Sequence, residues 1–71
     1  MPASYPLSEA FHEEYRRLYD RCVKVFTRDG GAVEGVFCDE FFEDESVLVS
    51  GREVMIIRIT DVERMEAAKN D

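Results

Sequence analysis

Five carboxylates stand close together near the middle of this sequence: Asp39, Glu40, Glu43, Asp44 and Glu45. Carboxylate oxygens are the ligands that Ca²⁺ and Mg²⁺ prefer, but a site needs a spacing that converges them, and the EF-hand pattern is missing. A solvated turn whose charges discourage the pairing of strand edges is the better interpretation. The sequence therefore predicts no metal site at this position.

Thiol chemistry would have to use Cys22, Cys38 and the single histidine, His12. A nucleophilic thiol needs a base, and His12 is best interpreted as a surface residue on the polar side of a helix. The two cysteines have no zinc-ligand spacing and fit better as buried thiols that act as small hydrophobes. Because no nucleophile, base and acid can be assembled, we predict a protein that is not an enzyme and has no cofactor.

Four apolar residues are the candidate partner contacts. Phe41 and Phe42 are adjacent, so in a strand their rings point to opposite faces and one ring leaves the local core unless the N-terminal helix covers it. In the most apolar segment, residues 53–59, Val54 and Ile56 share one face, and Met55 and Ile57 share the opposite face. That segment has the pattern of a strand covered on both faces.

Composition limits the function further. The chain has 71 residues, enough for one domain, and a domain of this size buries only about 60% of its unfolded surface. Self-association is the favoured supplement to so small a core. Sixteen acidic residues against nine basic ones give a net charge of −7, which repels phosphate backbones. No apolar run approaches a membrane span and no signal-peptide core is present, so we expect a cytoplasmic protein without membrane contact.

The N-terminal part predicts a leader at residues 1–7 and an amphipathic helix over about residues 8–20. Ser8 is a good N-cap, and acidic residues precede basic ones along the segment, which suits the helix dipole. Apolar residues recur at helical spacing: Phe11, Tyr15, Leu18 and Cys22. A stripe of this kind is typical of a packing face.

After the helix the apolar period changes to the alternation typical of strands. The predicted strands are 22–28, 32–42, 47–49 and 53–59. Asp29 followed by Gly30 between the first two is a strong hairpin signal. Gly35 within the long second strand predicts a bend or bulge that would curl the sheet into a barrel.

The C-terminal segment fits two structures. Thr60 and Glu63 fit a capping box that would begin a helix. Alternatively, one tight helical turn at 60–62 precedes a short fifth strand at 63–66, which would pair with an edge that four strands leave open. We favour the turn and strand, which gives a single domain over residues 8–66 and a tail at 67–71.

This order of elements resembles the Sm-like (LSm) small barrel, with Src-homology-type barrels as near alternatives. The resemblance rests on the segment Val23-Lys24-Val25-Phe26-Thr27-Arg28-Asp29-Gly30, on Gly35, and on Ile59-Thr60-Asp61-Val62-Glu63-Arg64-Met65. It implies an N-terminal helix followed by a five-strand barrel. It also implies ring assembly, because in Sm-like rings the fourth strand of one subunit pairs with the fifth strand of the next.

The RNA-binding residues of the Sm family are absent from this sequence. That family uses an Asp-x-x-x-Asn stretch, whereas the residues after Asp39 are Glu40-Phe41-Phe42-Glu43. The family's Arg-Gly turn is replaced here by Val49-Ser50-Gly51, and the basic pocket of Hfq-type proteins is also missing. The resemblance therefore implies the fold and assembly but not RNA binding.

We predict a non-catalytic scaffold or protein-interaction module that forms a homo-oligomer, either a ring or a dimer, with an unspecified protein partner. The alternative is an Sm-like RNA-binding protein that would use scattered bases, namely Lys24, Arg28, Arg52 and Arg58. Acidic residues outnumber these bases, so we expect no appreciable binding of nucleic acid.

Overall fold

A short N-terminal helix precedes a five-stranded antiparallel sheet in this computed structural model, which describes residues 7–68. The helix and strands are α1 (Leu7–Glu14), β1 (Cys22–Thr27), β2 (Ala32–Phe42), β3 (Glu45–Ser50), β4 (Glu53–Arg58) and β5 (Val62–Ala67). Two 3₁₀ turns lie at Arg16–Leu18 and Ile59–Asp61. The mostly β class with an N-terminal helix is confirmed.

The ends of the chain fall partly outside the described residues. The leader prediction for 1–6 and the tail prediction for 69–71 lie there. Leu7, which the sequence analysis assigned to the leader, is the first residue of α1. Ala67, assigned to the tail, ends β5.

The helix ends six residues earlier than predicted. Tyr15 leaves helical geometry with φ −109° and ψ 20°, and the 3₁₀ turn Arg16–Leu18 follows. Asp20 then takes a positive φ of 66°, which turns the chain into β1. The apolar stripe still faces inward, since Phe11 and Leu18 are buried. Eight helical residues are too few for a stable isolated helix, so α1 depends on its contacts with the sheet.

The hairpin between β1 and β2 forms at the predicted Asp-Gly step. Gly30 has a φ of +93°, a conformation that favours glycine. The carboxylate of Asp29 accepts hydrogen bonds from the Thr27 hydroxyl at 2.5 Å and from the backbone N–H of Gly31 at 3.0 Å. These bonds lower the pKa of Asp29 and fix the register that pairs Val25 with Val33.

The sheet has the strand order β4-β3-β2-β1-β5 and is open, so the prediction of a closed barrel was wrong. Adjacent strands lie about 4.8 Å apart, which would separate β4 from β5 by about 19 Å in a flat sheet. The three-residue connection from Arg58 to Val62 spans about 14 Å at most. The sheet must therefore curve strongly to bring the β4 and β5 edges within reach of this connection. Within residues 7–68, no backbone hydrogen-bond ladder joins those two strands.

The prediction of a turn and a fifth strand is confirmed over the alternative of a C-terminal helix. The 3₁₀ turn Ile59–Asp61 is fixed at both ends by backbone bonds, from Ile59 N–H to Asp44 O at 2.8 Å and from Arg28 N–H to Asp61 O at 2.9 Å. It leads directly into β5, which pairs with β1. No capping box forms, because Thr60 lies within the turn.

Gly35 is buried in the first half of β2, where the backbone of β3 comes close. A β-carbon at this position would lie 3.0 Å from the carbonyl oxygen of Val49 and 3.2 Å from Cβ of Leu48. Its importance is therefore steric. The predicted irregularity lies further along, between Phe37 and Phe41, where β2 has two more residues than β3.

Gly35→Val is expected to lower the free energy of unfolding by about 1–3 kcal/mol, because the added side chain meets backbone atoms that cannot move aside. Urea denaturation measures the change. The matched control is Glu34→Val, which adds the same β-branched side chain at the adjacent exposed position. Equal denaturation midpoints for the two variants would contradict this explanation.

The core lies between the inner face of the curved sheet and the N-terminal segment. Its buried apolar residues are Phe11, Leu18, Val23, Val25, Phe37, Leu48, Val62 and Met65. The core is small and rich in aromatic contacts, and α1 and every strand except β4 contribute a buried apolar residue to it. Met55 and Ile57 of β4 pack against it while remaining partly exposed.

Candidate interaction surface

An apolar surface covers the outer side of β2, β3 and β4. The register pairs Val36 with Val49, Val49 with Val54, and Val47 with Ile56. Directly opposed residues in an antiparallel pair share one face of the sheet, so these five side chains form a contiguous group. We call this group the outer apolar face.

The outer apolar face is most exposed along β4. Val54 is 65% exposed and Ile56 56%, whereas Val36 is 37% exposed and Val47 only 7%. The expectation that both faces of the fourth strand are covered is therefore not met within a single chain. Three of the exposed large apolar side chains on the described residues, Val36, Val54 and Ile56, therefore lie on this one face.

The two phenylalanines at the end of β2 point to opposite faces, as the adjacent positions require. Phe41 pairs with Ser46 on the inner face, and its ring lies 4.1 Å from the ring of His12 between centroids. Phe42 pairs with Glu45 on the outer side and is 61% exposed. The N-terminal helix thus covers part of Phe41, and Phe42 remains the exposed ring beside the outer apolar face.

The sheet has two unpaired strand edges within residues 7–68, on β4 and on β5. An edge strand presents backbone N–H and C=O groups that a further strand can bind. The outer apolar face extends to the β4 edge, while the residues of β5 that face outward are mostly charged. The β4 edge therefore combines backbone hydrogen-bonding capacity with adjacent apolar area.

A buried polar cluster lies on the inner side, and the sequence analysis missed it. His12 is 2% exposed, so its placement on the helix surface was wrong. Its Nε2 lies 2.7 Å from Oγ of Ser46, and its Nδ1 lies 3.0 Å from the hydroxyl of Tyr19. Ser8, expected as an N-cap, instead donates through its hydroxyl to the backbone carbonyls of Phe42 and Glu43.

Burial controls the titration of this cluster. It lowers the pKa of His12 to about 4, although the carboxylate of Asp39 acts in the opposite direction. Burial, with Asp39 as a smaller contribution, raises the pKa of Tyr19. At neutral pH the imidazole is therefore uncharged, and each of its nitrogens has a hydroxyl partner.

The Ser46–His12 pair resembles a nucleophile and its base, but its geometry does not suit catalysis. Ser46 has no exposed surface, so a substrate cannot reach its hydroxyl. The second nitrogen of His12 contacts a tyrosine hydroxyl, where hydrolytic triads have a carboxylate. The pair instead fastens α1 to β3.

Both cysteines lie nearer the surface than predicted. Cys22 is exposed and Cys38 is half-buried, because Val23 and Val25 occupy the inner face of β1 and the alternation turns Cys22 outward. Partial burial and the acidic neighbours Glu40 and Asp20 raise the pKa of the Cys38 thiol, which makes it a weaker nucleophile. Among residues 7–68, no three potential ligands converge to hold a metal ion.

The basic residues are scattered, and several have partners. Arg64 lies 4.0 Å over the ring of Phe26 and also bonds Glu66 at 3.0 Å, while Lys24 lies 5.4 Å from the same ring. The guanidinium of Arg28 donates to the carbonyl of Thr60 at 3.0 Å. The positive charges of Lys24 and Arg64 beside Phe26 are offset by the carboxylates Glu34 and Glu66, which lie on neighbouring strands or on β5 itself.

An open groove of about 320 Å³ separates α1 from the second 3₁₀ turn. Its lining is mixed, with Phe11, Tyr15 and Val62 beside the charged residues Glu14, Glu63 and Arg28. The groove thus presents apolar surface together with charges of both signs.

No helix in the part of the chain that the structure describes has the length and apolar character needed to cross a membrane. Comparison of the chain with protein-family models, with curated proteins and with solved structures gave no match.

Proposed function

We propose that this protein is a non-catalytic scaffold or protein-interaction module that assembles with copies of itself through β4. The observation that carries the proposal is the exposure of Val54 and Ile56 on an edge strand, at 65% and 56%. A chain with so small a core gains from covering this area, since burial of apolar surface stabilises by about 25 cal/mol per Å². Pairing at the edge would also satisfy backbone groups of β4.

The strand order supports a relationship to the Sm-like proteins. The N-terminal helix, the curved sheet and the 3₁₀ turn before β5 occur in the order that this resemblance implies. In Sm-like rings the fourth strand of one subunit pairs with the fifth of the next, and both of these strands are free edges here. A β4-to-β5 contact uses different surfaces on its two sides and gives a ring when the rotation between subunits closes, whereas a β4-to-β4 contact gives a dimer. We favour the ring.

The cellular location belongs to the same proposal. Cys22 and Cys38 are free thiols, which fits the reducing cytoplasm.

The test of assembly is the solution mass, measured by light scattering and native mass spectrometry at high micromolar concentration. We expect a multiple of the 8.2 kDa chain mass. Ile56→Lys places a charge on the outer apolar face and is expected to reduce the mass to that of the monomer. Leu7→Lys is the matched control, because Leu7 is 52% exposed but lies on α1. A monomeric wild-type protein would refute the proposal, as would equal dissociation of both variants.

A second function, nucleic-acid binding by an Sm-like protein, is favoured by one observation. The ring of Phe26 lies beneath Lys24 and Arg64, and aromatic rings flanked by cations can stack with bases. The nearby carboxylates Glu34 and Glu66 oppose this function, since both lie directly across from Lys24. We therefore rank it second.

Binding to nucleic acid is expected to be weaker than roughly 1 μM at about 150 mM salt, because few phosphates can be neutralised by this surface. Fluorescence anisotropy with poly-A and poly-U oligonucleotides measures it. Tighter binding that weakens steeply as salt rises would favour the second function over the first.

A further inference from the structure

Two polar side chains of α1 hold the helix on the hairpin formed by β2 and β3. Ser8 donates through its backbone N–H to the carbonyl of Glu43 at 3.1 Å and through its hydroxyl to the carbonyls of Phe42 and Glu43. His12, four residues later on the same side of the helix, meets the Ser46 hydroxyl at 2.7 Å. All of these contacts join α1 to one hairpin.

Aromatic rings enclose the imidazole of His12. The ring centroids of Phe41, Phe37 and Tyr19 lie 4.1, 4.7 and 5.5 Å from that of His12. The neutral imidazole suits this enclosure because both nitrogens have hydroxyl partners. Because His12 is only 2% exposed, protonation of its imidazole would bury a positive charge among these aromatic rings. Burying a charge is strongly unfavourable without a close counter-ion.

The charged groups near this enclosure come from several elements. Asp39 of β2 is the carboxylate whose field favours proton uptake by His12. Asp39, Arg16 and Glu13 act on the adjacent Tyr19 hydroxyl. From β3 the contact is the neutral hydroxyl of Ser46. Asp39 forms no salt bridge with His12, so its attraction only partly offsets the cost of burying the charge.

We propose that His12 makes α1 a proton-operated latch, in which protonation of the imidazole releases α1 from the β2–β3 hairpin while the five-stranded sheet remains paired. The separation is possible because α1 takes no part in the sheet. The backbone ladders of the sheet connect the five strands to one another and do not include the helix. Once detached, eight residues hold little helical structure alone. Release uncovers Phe37 and Phe41 on the inner face. The latch does not depend on self-association.

His12 can be followed directly, since it is the only histidine in the sequence. The imidazole resonances give its titration curve by NMR, and amide exchange gives protection factors for α1 and for the strands in the same samples. We expect the protection of α1 amides to fall about tenfold for each pH unit between 6.5 and 4, because a released imidazole takes up a proton with the ordinary pKa of about 6.5, whereas the docked imidazole does so only at about 4. Amides in the ladders joining β1 to β2 and β5 are expected to keep their protection over this interval.

The variant His12→Gln cannot take up a proton, so the pH dependence of α1 protection is expected to disappear. If this variant does not dock α1 at any pH, the wild-type comparison of the His12 titration with α1 exchange still decides. Protection of α1 amides that stays constant from pH 6.5 down to the midpoint of the His12 titration would overturn the latch. Simultaneous loss in α1 and all strands would also overturn it, because it indicates global unfolding.

Discussion

Replacing Phe37 with alanine is expected to lower the free energy of unfolding by about 3–5 kcal/mol, the largest effect of any single substitution considered for this chain. Phe37 is fully buried and lies at the meeting point of the helix, the chain after the first 3₁₀ turn, and the sheet. Its ring packs edge-on to Phe11 at 6.0 Å and beside Tyr19 at 5.3 Å. Truncation removes these contacts and leaves a cavity that neighbouring strands cannot fill.

Phe42→Ala is the matched control, because it makes the same chemical change on the same strand at a position that is 61% exposed. We expect this variant to change the free energy of unfolding by less than about 0.5 kcal/mol. Urea denaturation of the two variants and the wild type provides the comparison. Similar losses in both variants would show that Phe37 is not the centre of the core.

Acidification is expected to reduce stability by up to about 3 kcal/mol through His12 alone. The pKa of His12 is about 4 in the folded protein and about 6.5 when the chain is unfolded, so between these values the unfolded state binds a proton that the folded state excludes. The contribution of neutral His12 is therefore complete above pH 6.5 and is lost as the pH falls towards 4. Each pH unit corresponds to about 1.4 kcal/mol.

Carboxylates also titrate over part of this interval, so the measurement needs a reference. Urea denaturation at several pH values, for the wild type and for His12→Gln, gives two stability curves whose difference is the His12 contribution. If α1 detaches before the sheet unfolds, this difference stops growing at the pH of release. Parallel curves from pH 7 to 4 would contradict the assignment of the low pKa to His12.

The sequence alone was sufficient for the elements that depend on local pattern. Alternation of apolar residues identified the strands, and the Asp29–Gly30 step identified the hairpin, because strand faces and turn conformations are set within a few residues. The boundaries shifted where a long-range contact decided them. The helix ends at Glu14, six residues before the turn at Asp20, whose backbone N–H donates to the carbonyl of Phe37 on β2 at 2.8 Å.

The candidate interaction surface was predicted in part. Val54 and Ile56 were found from their shared face in an apolar strand, and Phe42 from its adjacency to Phe41. The other three residues of the outer apolar face, Val36, Val47 and Val49, were missed. They join this face only through the register between β2, β3 and β4. Register is fixed by pairing across the sheet and cannot be determined from the period of one strand.

The amino-acid sequence by itself determined the charge, the first four strands and the alternation of faces along each of them, whereas the choice of a strand over a helix for the C-terminal segment came from the structure. The tertiary structure decided whether the sheet closes and where His12 lies. Closure depends on the accumulated curvature of five strands and on the extra residues between Phe37 and Phe41. His12 is buried because a hydroxyl 34 positions along the chain, on Ser46, is placed beside it by the fold. No local pattern around a lone histidine contains that information, because its burial depends on partners that only folding brings together.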